Sequence, residues 1–201
     1  MARRKDHSPE ELKTAIRRAA EKLIYTKGLN GLTARALAKE IGYTPGTIYN
    51  FYRDMDALVT EVNYTTLKQL HKHCTEKIGK ARPGYESIKS LAYAYIDFAH
   101  MHERAWRTLF IATNRVSKTV KLPAHYRQCL ADLFELIETT MQNNLSISAD
   151  EAAHAARLLW ACMHGITSLM LDGRLSLIGI KEPHAIVDDL LSKYLKDYVR
   201  A

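Results

Sequence analysis

Apolar side chains recur at helical spacing from the first turns of the chain. Leu12, Ala15, Ile16, Ala19, Leu23 and Ile24 share one face while Lys13, Arg17, Arg18 and Lys22 occupy the others, which predicts an amphipathic helix. Its start is marked by Ser8-Pro9-Glu10-Glu11, with a hydroxyl for the N-cap, proline at the first helical position and a glutamate three residues beyond the cap: the makings of a capping box. Gly28 ends the run. Thr33 is the expected cap of a short second helix through Glu40, with Leu37, Ala38 and Ile41 facing inward and Gly42 interrupting it. Thr44-Pro45 repeats the cap-and-proline signal, so a third short helix follows through Thr47, Ile48, Tyr49 and Asn50. Asp54 reads as the N-cap of a long fourth helix through Leu58, Val62, Leu70 and Ile78, toward a break at Arg82-Pro83-Gly84.

The same periodicity continues beyond Gly84. Ile88, Leu91, Ala92, Tyr95 and Ala99 define one helix, Trp106, Leu109 and Phe110 a shorter one, and Tyr126, Leu130, Leu133, Phe134, Ile137 and Met141 another. Ser148 or Asp150 caps the next, which is apolar nearly all round from Ala152 to Leu171 and is therefore expected to be a central helix covered on several sides. After a loop from Gly173 to Pro183, the stripe Val187, Leu190, Leu191, Tyr194, Leu195 and Tyr198 marks a final amphipathic helix. With only 9 glycines and 5 prolines and no alternating β-branched runs, a sandwich or barrel is disfavoured. The expected fold is all-α, with about nine helices.

Charge separates the two ends of this pattern. The 201 residues carry a net charge of +7, and positions 1–53 hold eleven Lys/Arg against five acids, six of those seven charges. A polyanionic partner is therefore expected to meet the N-terminal quarter. The 3 cysteines, Cys74, Cys129 and Cys162, are scattered without metal-ligand spacing and suit a reducing, cytoplasmic setting. The start, MARRKDHSPEEL, has no apolar core after its basic residues and does not read as a signal peptide. The longest apolar stretch, Ala152 to Leu171, includes His154, Arg157 and His164 and reads as a buried helix, so no membrane association is expected.

Two short helices joined by a glycine-containing turn, preceded by a longer one and set in the basic quarter, meet the description of a helix-turn-helix. Thr44-Pro45-Gly46-Thr47 supplies a capped helix N-terminus whose partial positive charge suits phosphate. Thr47, Tyr49 and Asn50 project polar groups from one side, and Ile48 and Phe51 lie on the other. The segment Gly28 to Leu58, GLNGLTARALAKEIGYTPGTIYNFYRDMDAL, resembles the N-terminal domain of the TetR family of bacterial transcriptional regulators. That resemblance implies that Leu32 to Phe51 is the helix-turn-helix proper. It further implies that Thr33 and Arg35 approach DNA from the second helix, Thr44, Pro45, Gly46, Thr47, Tyr49 and Asn50 from the recognition helix, and that Arg53 contacts phosphate. Met55 departs from the Lys or Arg that family members often carry there. Arg3, Arg4 and Lys5 form a basic arm able to reach a minor groove, or a solubilising tail.

The resemblance also implies the organisation of the remainder. Residues 1–54 form the DNA-binding domain, a fourth helix over about 54–81 connects, and 55–201 form a helical domain for ligand binding and dimerisation. Trp160-Ala161-Cys162-Met163-His164-Gly165 resembles the W-x-x-x-H-G signature of one TetR C-terminal class. Trp160 and His164 share a helix face and Gly165 allows close approach, so the segment reads as a pocket wall or as core packing. Candidate ligand contacts are Tyr93, Trp106, Phe110, Phe134, Trp160, Met163 and His164, with Tyr95 nearby, for a small, moderately hydrophobic inducer. Val187, Leu190, Leu191, Tyr194 and Tyr198 are the candidate homodimer interface. No cofactor and no metal are expected.

The function expected is a repressor that binds palindromic double-stranded operator DNA as a homodimer and is released by the inducer. A TetR-like protein whose C-terminal half only dimerises or docks a protein is the alternative. A di-metal helical-bundle enzyme is more distant. Asp97-x-x-His100 and Glu151-x-x-His154 supply only part of its ligand set, and no P-loop, Rossmann, G-x-S-x-G or zinc pattern is present. Redox sensing through Cys162 is disfavoured, because burial in an apolar helix would keep the thiol protonated and inert.

Overall fold

Ser8 accepts a hydrogen bond on Oγ from the Glu11 amide (3.3 Å) while its own amide donates to Glu11 Oε2 (2.8 Å), and the first helix, α1 (Pro9–Lys27), starts from that reciprocal pair. It ends at Gly28, which takes φ 71°. The computed structural model describes residues 8–115, 122–196 and 198, and the basic arm Arg3, Arg4 and Lys5 lies outside them. After a 3-10 turn over Leu29–Gly31 come α2 (Ala34–Ile41), α3 (Pro45–Tyr49), α4 (Met55–Ile78), α5 (Tyr85–Met101), α6 (Glu103–Arg115), α7 (Ala124–Asn144), α8 (Ala149–Leu171) and α9 (Pro183–Tyr194). Among the described residues there is no strand, and no helix is long and apolar enough to cross a membrane.

The chain divides into two compact units, Met1–Thr66 with Arg104–Leu122, and Leu67–Glu103 with Pro123–Ala201. In the first, Ile16, Ile24, Leu37, Ile48, Leu58 and Val62 are the fully buried centre, and Ala105 of α6 joins them. This unit does not follow chain order. Arg104 donates to the carbonyls of Tyr25 and Thr26 at the end of α1, and Asn63 Nδ2 donates to the Thr108 carbonyl (3.2 Å), so α6 is fastened to α1 and α4. None of these three bonds is foreshadowed by the periodicity of α6.

In the second unit α5, α7, α8 and α9 pack on one another. Ser148, not Asp150, caps α8, and its capping box with Glu151 matches that of α1 (Ser148 amide to Glu151 Oε2, 2.9 Å). The helix buries Ala152, Ala155, Ala156, Leu159, Met163 and Thr167 on one side. It is not covered all round: Leu158 is 41 % and Leu169 38 % exposed, Gly165 lies open, and Cys162 is half-buried. The final helix is shorter than its apolar stripe suggests. It stops at Tyr194, and Tyr198 lies beyond it, its carbonyl accepting from the Ser146 amide (3.0 Å). Loop residues Ser176–Ile178 form a 3-10 turn.

Candidate nucleic-acid interface

The recognition segment is built from local chemistry. Thr33 caps α2 by accepting from the Ala36 amide (3.1 Å), and Gly42 closes α2 in the left-handed region at φ 69°, which a side chain would oppose. Thr44 then opens α3 with proline at its first position. Its hydroxyl does not cap a backbone amide but pairs with the Thr47 hydroxyl at 3.1 Å. Asp54 caps α4, its Oδ1 accepting from the Ala57 amide (2.7 Å) and its Oδ2 from Arg53 Nε (2.8 Å). These bonds hold its carboxyl below the usual range, the amide hydrogen bond contributing most.

Burial divides this segment into two sides. Leu37 and Ile48 are 0 % exposed and Tyr52 is buried, which anchors α2 and α3 from beneath. Thr33, Arg35, Thr44, Pro45, Gly46, Tyr49, Asn50 and Arg53 are exposed and Thr47 is half-buried, so none of the nine positions indicated by the sequence is buried, and all lie in the first unit. Tyr49 is 50 % exposed, although it directly follows the buried Ile48. Gly46 is informative. Its φ is not positive, and an added Cβ would meet only Thr44 Oγ1 at 3.8 Å, so nothing in the chain itself requires glycine there. Its smallness keeps the N-terminal turn of α3 open to a close external neighbour.

The seven candidate ligand contacts are not all brought together. Trp160 stacks on His164 (centroids 5.5 Å apart), and Phe134 of α7 meets the Trp160 ring edge-on (5.7 Å). Tyr95 Oη of α5 lies 3.2 Å from His164 Nδ1, and Met163 is buried in α8. Arg157, paired with Glu138 at 2.9 Å, lies over the Phe134 ring. Burial holds the His164 imidazole below its ordinary pKa and so favours the neutral ring. Tyr93 takes another direction. Residues two apart on a helix diverge, and Tyr93 Oη donates to Asp188 of α9 (2.8 Å) while its ring meets His184. Trp106 and Phe110 pack on each other (4.7 Å) in α6, which belongs to the first unit.

Of the candidate interface residues, Val187 and Leu191 are buried within the chain's own second unit, four apart and on one face of α9. Leu190 and Tyr194 are half-exposed and line an open groove with Ile186, Asp189 and Lys193. The carboxylates considered for a metal have other work: Glu151 closes the α8 capping box and Asp97 Oδ1 lies 3.2 Å from His184 Nε2. Among the described residues no group of three or more His, Cys, Asp or Glu is placed to hold a metal ion. Arg104 is the positioning residue missed by sequence reasoning, since nothing in its local pattern points to the end of α1.

The comparisons with known proteins agree with this geometry. Residues 16–62 match the family model described as bacterial regulatory proteins, tetR family, and residues 88–194 match the tetracyclin repressor-like C-terminal domain. The chain is 28 % identical over 152 residues to YobS, an uncharacterized HTH-type transcriptional regulator of Bacillus subtilis (strain 168), covering 76 % of this chain and 75 % of the relative. A structure of a protein of unknown function from Rhodococcus sp. RHA1 superposes with a TM-score of 0.78 at 18 % identity, over 99 % of this chain and 100 % of the other. The multidrug binding protein EbrR, solved with imidazole, superposes with a TM-score of 0.63 at 16 % identity, over 91 % and 94 % of the two chains. The two matched models follow each other along the chain and together span most of it, and the helix-turn-helix lies in the first: the chain belongs to the TetR family and is a DNA-binding transcriptional regulator.

Proposed function

We propose that the protein is a cytoplasmic repressor that binds a palindromic operator as a homodimer and leaves it when a small, moderately hydrophobic inducer binds the second unit. The observation that carries this reading is the double use of α8. One side of the helix contributes Trp160 and His164 to an aromatic cluster completed by Phe134 and Tyr95, and another side leaves Leu158, Gly165 and Leu169 open, as α9 leaves Leu190 and Tyr194 half-exposed. The cluster offers a large apolar surface with one neutral hydrogen-bonding ring, which suits a drug-like organic molecule. A small-molecule complex of EbrR, a protein of the same fold, supports that assignment. The open stripe supports an isologous interface built from the last two helices, and a dimer would present two recognition helices about one helical turn of DNA apart.

In this mechanism Thr33, Arg35, Thr44, Pro45, Gly46, Thr47, Tyr49 and Asn50 face the major groove and its phosphates, and Arg53 exchanges Asp54 for a phosphate oxygen. The inducer shifts helix packing and with it the spacing of the recognition helices, for which a coupling of about 1–3 kcal/mol is sufficient. Native mass spectrometry of the full-length protein with DNA fragments from around its own gene tests the reading. A DNA-bound dimer is expected, released by a hydrophobic effector in the wild type and retained in Trp160→Ala. A protein that binds none of the fragments refutes operator recognition. A DNA-bound dimer that no compound releases favours instead a C-terminal half that only dimerises or docks a protein.

A further inference from the structure

A cleft of about 550 Å3 opens in the second unit beside the end of α4, with Lys77, Arg82, Lys89, Ser90, Tyr93 and Asp97 among its lining residues. It belongs to the aromatic cluster neither by residues nor by chemistry. Its surroundings are the basic part of an otherwise acidic stretch: residues 64–90 hold six Lys/Arg and two acids, whereas the other positions beyond residue 53 hold twelve Lys/Arg and fifteen acids. Of those two acids, Glu76 lies 3.7 Å from Lys72, and Glu86 stands on the cleft's own rim.

The inward-facing carboxylates already have cationic or titratable partners. Asp188 of α9 accepts from Lys89 Nζ (2.9 Å) and Tyr93 Oη (2.8 Å), and Asp97 pairs with His184. The Asp188 hydrogen bond, with a smaller contribution from one to Tyr93, keeps Lys89 charged, above its ordinary pKa. Ser90 is committed as well, its hydroxyl donating to the Lys77 carbonyl (3.1 Å) and joining α5 to the end of α4. Lys77 and Arg82 remain, and among the described residues neither has an ion-pair partner. The floor is thus braced by its own hydrogen bonds, and the two cations without an ion-pair partner among the described residues, Lys77 and Arg82, stand with one rim carboxylate that also has none, Glu86.

We propose that this cleft binds a small organic anion through a carboxylate or phosphate group. Arg82 supplies the planar fork that suits either oxyanion, Lys77 and Lys89 supply compact charge, and the Tyr93 ring with Ala94 receives the carbon frame. The site is independent of the inducer cluster, so either assignment can fail alone.

Titration of the full-length protein with inorganic phosphate, and separately with acetate, followed by 1H–15N correlation spectra at ionic strength held constant with chloride, tests this. Saturable shifts are expected at the amides of Ala81, Ser90 and Ala94. They should weaken roughly tenfold or more in Lys77→Glu/Arg82→Glu, with the remaining spectrum unchanged. Saturation by phosphate alone identifies a phosphate ligand, and saturation by acetate identifies a carboxylate. Shifts that follow chloride, or an affinity unaltered in the double variant, overturn the proposal.

Discussion

Ile48 and Tyr49 are neighbours in a five-residue helix, and they should fail in opposite ways when truncated. Ile48 is 0 % exposed and packs with Leu37 and Tyr52 in the core of the first unit. Ile48→Ala removes three buried carbons, a transfer loss of about 2.4 kcal/mol at roughly 0.8 kcal/mol each. The residual cavity raises the total to about 3 kcal/mol, within the range for such truncations. In a unit of this size that lowers the melting temperature by roughly 12–24 °C. Tyr49 is 50 % exposed, and its truncation should change stability by about 0.5 kcal/mol or less. Its cost should appear in DNA affinity, at about 1–3 kcal/mol or roughly 5–150-fold for one specific contact. Thermal unfolding followed by far-UV circular dichroism, with fluorescence anisotropy on an operator fragment at fixed salt, separates the two effects. Wild-type affinity in Tyr49→Ala, or equal destabilisation by both substitutions, would refute the division of α3 into an anchoring and a reading side.

Asp54→Ala removes the acceptor for the Ala57 amide and should cost about 1 kcal/mol of α4 stability, measurable by urea unfolding. Because the Asp54 carboxyl is held below its ordinary 3.8, the native state binds fewer protons than the unfolded one in the acid range. Its contribution is complete above that value and lost as pH falls through the lowered native one, so Asp54→Ala should flatten the acid limb of a stability–pH curve; an unchanged limb would remove the cap from that account. His164 is lowered by burial, which makes the unfolded chain the better proton acceptor just below the imidazole's ordinary 6.5. Stability should therefore decline as pH falls below that value, less so in His164→Gln, and a pH-independent wild type between 7 and 5 would count against the half-buried neutral ring. Arg104→Ala should loosen the end of α1 by about 1 kcal/mol, seen as faster amide exchange at Lys27 and Gly28; unchanged exchange would mean that α6 is held by other contacts.

What could be read along the chain was local. The Ser8 and Ser148 capping boxes, the Thr33 and Asp54 caps and the left-handed Gly42 depend on groups within about one turn, and each carries a recognisable residue type. The helix-turn-helix was legible for the same reason: its two helices and the turn between them are specified inside a short window with a distinctive order of residues. Partner choice between distant helices has no such window. Periodicity shows that Trp106 is on an apolar face but not that α6 joins the first unit. It groups Val187 with Leu190, although one is buried in its own core and the other lines an open groove. Tyr93 and Tyr95 look equivalent on paper, yet they turn to different helices, because two residues on a helix advance the direction by roughly 200°. The open side of α8 is the sharpest case. An all-round apolar helix promises burial without saying whether its own chain or a second copy provides it, and that depends on where α5, α7 and α9 come to rest.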